Sequence, residues 1–135
     1  MAQQEHPNVA LVRESYDAFG SGDMDWMAKH VADDVVWHIG GRSKLAGSYK
    51  GLQEIGQVFE RQAKLFENSK IDTHDIVGND EHVIAIGTAT AEDPQGGNVS
   101  WRWGNIFHVK DGKITEVWGL SEDPTDIDAL IDRMV

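Results

Sequence analysis

The chain has 135 residues, 40% of them hydrophobic and 26% charged, which is the size and composition of one globular domain with one core. A formal net charge of -11 argues against binding to a phosphate backbone, which needs clustered Lys and Arg, and no stretch approaches the ~20 apolar residues of a membrane span. With no cysteine the chain has no disulfide framework, no thiolate nucleophile and no thiolate metal ligand, a composition that suits the reducing cytoplasm.

The opening stretch, Met1 to Pro7, is polar and lacks the apolar core of a secretory signal. Val9, Val12, Tyr16 and Phe19 then recur at helical spacing, with Leu11 beside them and Asn8 as the expected N-cap, up to a stop near Gly20. Asp23 is placed to cap a second, short helix with the inner stripe Met24, Met27, Ala28 and Val31. Val35 to Ile39 reads as a strand, and the glycines at 40, 41, 47 and 51 mark a long loop fit to be a pocket rim. Leu52, Ile55, Val58, Phe59, Leu65 and Phe66 predict a third helix up to Asn68.

From there the period changes to alternation, and four strands fit: Ile71 to Val77, His82 to Ala91, Val99 to Val109 and Ile114 to Ser121. Short Gly-, Asn- and Asp-bearing connections make them a meander of hairpins. A last helix starts where Asp123 can cap it and Pro124 takes the first position, and it buries Ile127, Leu130, Ile131 and Met134. The expectation is a single domain over residues 1–135 of the α+β class: a cone-shaped, curved, mostly antiparallel sheet packed against the N-terminal helices and enclosing one pocket.

Four segments carry a family resemblance. They are Tyr16-Asp17-Ala18-Phe19-Gly20-Ser21-Gly22-Asp23, Ala32-Asp33-Asp34-Val35-Val36-Trp37-His38, Ala46-Gly47-Ser48-Tyr49-Lys50-Gly51, and the run from Phe107 to Trp118 around Asp111-Gly112. In this order they resemble SnoaL-like proteins of the nuclear transport factor 2-like superfamily, relatives of ketosteroid isomerases and polyketide cyclases. The resemblance implies the cone fold, a small hydrophobic or aromatic ligand, no cofactor, and dimerisation through the sheet. It does not carry over the acids of those enzymes. The isomerase tyrosine falls on Ser15, its base on Ile39 and its oxyanion acid on Asn105, while the acid of the cyclases and epoxide hydrolases falls on Gly119.

Strand alternation then describes the pocket wall. With Asn105 inward, Trp101, Trp103 and Phe107 follow, and the resemblance turns Trp37 and Ile39 inward beside Gly119. The neighbouring strand is expected to add Ile84, Ile86, Thr88 and Thr90. An aromatic wall with one amide suits an apolar or aromatic ligand oriented by one or two hydrogen bonds, although the same side chains also suit a plain core. Asn105, Tyr16 and His38 are the candidate catalytic residues: the amide for an oxyanion, the other two for a proton. His38 and His108 are out of phase with the inward residues, and the six histidines have no ligand-pair spacing, so no metal site is expected.

Two functions fit: a cofactor-independent acid–base isomerase, cyclase or lyase on a small hydrophobic or aromatic metabolite, or a non-catalytic binding protein for such a molecule. A protein-interaction module is a third, and it would need a surface groove. Outward Ile106 and Trp118 are expected to form a homodimer interface on the outer sheet face.

Overall fold

The computed structural model describes residues 5–67 and 69–134. The expected helix end at Asn68 and the first residues of the polar N-terminal stretch lie outside the described residues. The elements are α1 (Pro7–Ser21), α2 (Met24–His30), β1 (Val31–Ile39), β2 (Gly47–Lys50), α3 (Gly51–Glu67), β3 (Ser69–Gly78), β4 (His82–Glu92), β5 (Asn98–Lys110), β6 (Lys113–Ser121) and α4 (Pro124–Met134).

Helix α1 starts differently from the capping that Asn8 predicts. Pro7 takes the first turn, where no N–H is needed, and the Asn8 N–H donates to the ring Nδ1 of His6. The Asn8 side chain donates instead to the carbonyls of Asn79 and Asp80, tying the helix start to the turn between β3 and β4. The helix ends on Gly22 in the left-handed region. Asp23 caps α2 as expected, accepting the Trp26 N–H, but only Met27 of the expected inner stripe is buried within that helix. Met24 and Ala28 are exposed, and Val31 already belongs to β1.

One six-stranded sheet in the order β2-β1-β6-β5-β4-β3 forms the body of the protein. It is curved, open and mostly antiparallel; β1 and β6 alone run parallel. The loop expected between residues 40 and 51 contains β2, a four-residue edge strand paired with β1. Its sequence, Gly-Ser-Tyr-Lys, is too short and too poor in β-branched residues to signal a strand. Asp111 and Gly112 close the β5–β6 hairpin with φ of 52° and 75°, the pair of positive values that a two-residue turn asks for.

The core has two parts. The larger joins Val9 and Val12 of α1, Val35 of β1, Ile55 of α3, Val83 and Ala85 of β4, and Phe107 and Val117 of the last strands. The second lies under α4, where Leu45, Leu65, Ile127, Leu130 and Ile131 close over Ala91. Helix α4 is fastened to the preceding loop by two carboxylates: Asp128 accepts the Arg42 N–H at 2.7 Å and Asp132 accepts the Lys44 N–H at 2.7 Å.

Candidate functional site

The direct pairing of β4 with β5 settles which side chains face inward. Val83 opposes Phe107, Ala85 opposes Asn105, Gly87 opposes Trp103 and Ala89 opposes Trp101. Residues directly opposite share a face, and Val83, Ala85 and Ala89 are buried. Ile84, Ile86, Thr88 and Thr90 therefore point to the outer face, contrary to the expectation for this strand. The physical reason is volume. Two indoles on β5 need small residues beside them, and the Trp103 ring lies across Gly87 with its Nε1 donating to the Thr88 carbonyl at 3.1 Å.

On β5 the alternation holds. Asn105, Trp103 and Phe107 face inward, and the parallel pairing of β1 with β6 sets Trp37 beside Val117 and Ile39 beside Gly119. Phe107 is buried core. Tyr16, Trp37, Ile39, Trp103, Asn105 and Gly119 are half-buried, so an accessible inward strip begins where the core stops. Trp101 lies further along and packs into the second core cluster below α4.

Asn105 and Tyr16 meet. The Asn105 Nδ2 donates to the Tyr16 hydroxyl oxygen at 3.0 Å, and the phenol ring sits 6.0 Å from Phe107 and 6.2 Å from Trp103. Burial pushes the Tyr16 hydroxyl up to about 12, while the hydrogen bond from Asn105 pulls the other way. Near neutral pH Tyr16 is thus a neutral O–H donor with its proton free for an acceptor.

Next to this pair the missing side chain of Gly119 leaves a space. A Cβ there would stand 3.3 Å from Asn105 Oδ1, 3.6 Å from the His38 carbonyl oxygen and 3.9 Å from Trp37 Nε1. Among the described residues Asn105 Oδ1 and Trp37 Nε1 have no hydrogen-bond partner, and no buried side-chain N or O is left unsatisfied, so both atoms are accessible. The strip offers two donors and one acceptor to a bound molecule.

Behind it the interior is filled by edge-to-face aromatics that helical periodicity marks only as core. Phe19, Trp37 and Phe59 have ring centroids 5.2 to 5.6 Å apart, and the crevice lined by Trp37, Ile39, Tyr49, Ile55, Val58 and Phe59 has no room for a water molecule. A concavity of about 910 Å³ lies elsewhere. It crosses the middle of β3 to β6 with side-chain walls mainly from the outward phase, including Ile86, Thr88, Arg102 and Leu120.

His38 stands on the outer face, where its ring bonds Ser48 and Glu116 and stacks on Trp118. Proton transfer from His38 to a ligand on the inward strip is therefore excluded by the sheet itself. Asp123 is occupied as a cap, accepting the Thr125 N–H, which holds its carboxyl below the usual range. Among the described residues no group of three or more His, Asp or Glu is arranged to hold a metal ion, and no helix is long and apolar enough to cross a membrane.

A curved sheet closed by helices on one face, with a half-buried aromatic strip bearing a few polar atoms, defines an α+β small-molecule pocket fold. The model of the SnoaL-like domain matches residues 12–117, and the chain belongs to the SnoaL-like family of the nuclear transport factor 2-like superfamily, which includes cyclases and isomerases. Bal32a, from a soil-derived mobile gene cassette, superposes with a TM-score of 0.79 at 28% identity, over 92% of this chain and 95% of that one. A nuclear transport factor 2-like protein of unknown function from Burkholderia pseudomallei K96243 gives 0.79 at 19% identity, over 94% and 98%. TerC, co-crystallised with polyporic acid, gives 0.78 at 19% identity, over 94% and 99%. No curated protein matches the chain.

Proposed function

We propose that the protein binds a small hydrophobic or aromatic molecule against the inward strip, with Tyr16 and Asn105 holding an oxygen of that molecule and Trp37, Ile39, Trp103 and Gly119 shaping its seat. The observation that carries this is the 3.0 Å bond between Asn105 and Tyr16 inside an aromatic wall, beside the accessible Trp37 N–H. If chemistry follows binding, it is a cofactor-independent isomerisation, cyclisation or elimination in which the Tyr16 O–H donates to a developing oxyanion. The position of His38 on the far side of the sheet favours the second reading, a binding protein that orients its ligand without proton transfer.

Incubation with a mixed extract of hydrophobic metabolites, followed by mass spectrometry of retained and altered compounds, separates the two. A retained, unchanged compound supports the binding protein and a converted one the enzyme. Asn105→Ala should weaken retention about 10- to 100-fold, the worth of one or two buried hydrogen bonds. Unchanged affinity in this variant would move the ligand away from the strip.

The reading includes a homodimer in the cytoplasm, formed through the outer sheet face. On that face Ile84, Ile86 and Leu120 are 40%, 43% and 51% exposed. Across the strands they run beside Ile106 and Trp118, with Arg102 and Glu122 on one flank and His108 and Glu116 on the other. An apolar band flanked by both signs of charge suits contact with its own copy. Leu120→Asp is expected to shift the protein to monomer in sedimentation at micromolar concentration; an unchanged mass would remove this face as the interface.

A further inference from the structure

The outer face holds a second arrangement that the inward strip does not use. His38 Nδ1 lies 2.6 Å from Ser48 Oγ, and His38 Nε2 lies 2.5 Å from Glu116 Oε2. We propose that Ser48, His38 and Glu116 form a nucleophilic site for small activated carboxylic esters.

The proton positions follow from the partners. An ionised carboxylate only accepts, so Glu116 fixes the neutral imidazole with its proton on Nε2, and Nδ1 is left as the acceptor for the Ser48 hydroxyl. A nucleophile, a base within hydrogen-bond reach and a third group orienting the base are the recurring parts of serine catalysis, on whatever fold they occur. The ring is held in place by Trp118, stacked at 5.4 Å and 21°. Other titratable side chains on this face are His108, whose Nδ1 is 3.9 Å from Glu116 Oε1, His82, whose ring is tilted against His108 at 4.4 Å, and Lys50, which the pairing sets opposite Val36 on the side of Ser48.

Strand β2 supplies the oxyanion donor. In an antiparallel pair the hydrogen-bonded and non-hydrogen-bonded positions alternate. The Lys50 N–H donates to the Glu54 carboxylate, so the Lys50–Val36 pair is of the non-hydrogen-bonded kind. Two residues earlier, Ser48 and His38 are of the same kind. That brings their side chains close and turns the Ser48 N–H to the free edge of the sheet. Ser48 is exposed, and Gly47 before it leaves open space on its approach. Its place on the edge strand puts it at the margin of the proposed dimer face.

In the reaction the Ser48 Oγ attacks the ester carbonyl carbon as its proton passes to His38 Nδ1, and the carbonyl π electrons move to oxygen, which accepts the Ser48 N–H. Collapse re-forms the carbonyl and expels the alkoxide or phenolate with its bonding pair; that group takes the proton from His38. Water, deprotonated by His38 Nδ1, then attacks the acyl carbon; collapse breaks the bond to Ser48 Oγ, which takes the proton back from His38, and releases the carboxylic acid and free serine. The balance is ester plus water to acid plus alcohol.

The test uses the full chain and p-nitrophenyl acetate. Expected are a burst of p-nitrophenolate close to one per chain and an acetyl group on the Ser48 peptide by mass spectrometry. Ser48→Ala should abolish the burst, and His38→Gln should slow Ser48 acetylation about 100-fold or more. Glu116 is a positioning residue: Glu116→Gln offers an amide N–H to Nε2 and so favours the wrong tautomer, which should slow acetylation, whereas Glu116→Asp, which keeps an accepting carboxylate, should restore part of the rate. Folding of each variant is checked by circular dichroism, and the site of acetylation in the wild type needs no variant at all. Acetyl groups spread over lysines with none on Ser48, or Ser48 acetylation equally fast in His38→Gln, would overturn the proposal.

Discussion

Replacing Gly87 by alanine is expected to lower the stability of the protein by about 3 kcal/mol. The added methyl would meet the backbone carbonyl of Asp72 on β3 and would stand 2.6 Å from Cζ2 and 2.9 Å from Cε2 of Trp103 on β5. Neither neighbour can yield freely. The carbonyl belongs to the β3–β4 ladder, and the indole is tied by its bond to the Thr88 carbonyl. Gly104→Ala is the control, because a Cβ there meets Ile86 Cγ2 at 3.8 Å and the Ala85 carbonyl at 3.9 Å, which is ordinary contact. Urea midpoints and the near-ultraviolet dichroism of the tryptophans would read both. Equal midpoints for the two variants would mean that Trp103 does not lie over Gly87.

The second large effect is alkaline. The Tyr16 hydroxyl is pushed up to about 12 by burial, from an ordinary 10.0. A group whose folded value is raised contributes stability that is complete below pH 10 and is lost as pH rises through the folded value. At about 1.4 kcal/mol per unit over the full shift, wild type should lose roughly 2 kcal/mol between pH 10 and pH 12 relative to Tyr16→Phe, which has no such proton. The comparison cancels the lysines, which titrate alike in both. Parallel stability curves for the two proteins would show Tyr16 to be in contact with water.

Much of the fold is legible in the residues because hydrophobic period is a strong signal where elements are long. The change from helical spacing before residue 68 to alternation after it, with the short apolar run at Val35 to Ile39 and the capped last helix, places five of the six strands and the four helices of the described residues. Strand β2 escapes because four residues cannot show a period. The cap of α1 escapes because an imidazole replaces the amide that local preference favours.

The candidate site is only half legible. Asn105, Trp37 and Gly119 share a face by simple alternation, and Tyr16 reaches them from α1. The phase of β4 is misjudged because Ile84 and Ile86 are hydrophobic and the alanines between them are less so. Hydrophobicity alone cannot show that two tryptophans on the next strand require small neighbours, or that the isoleucines face outward beside Trp118 and Leu120. His38 shows the same limit from the other side. Its residue type suggests acid–base chemistry, but only its phase relative to Trp37 says on which side of the sheet that chemistry could happen.

The parallel pairing of β1 with β6 also governs when the site can exist. Trp37 meets Gly119 and Asn105 only after the chain has returned across nearly its whole length; the His38–Glu116 bond on the other face of the same pair spans 78 residues. The hairpins of the meander are local and can close early, whereas this junction has the largest loop-closure entropy in the sheet. Both proposed sites, the inward strip and the outer serine, therefore wait on the slowest contact to form, and a chain emerging from the ribosome can hold neither until its last strand is free to dock.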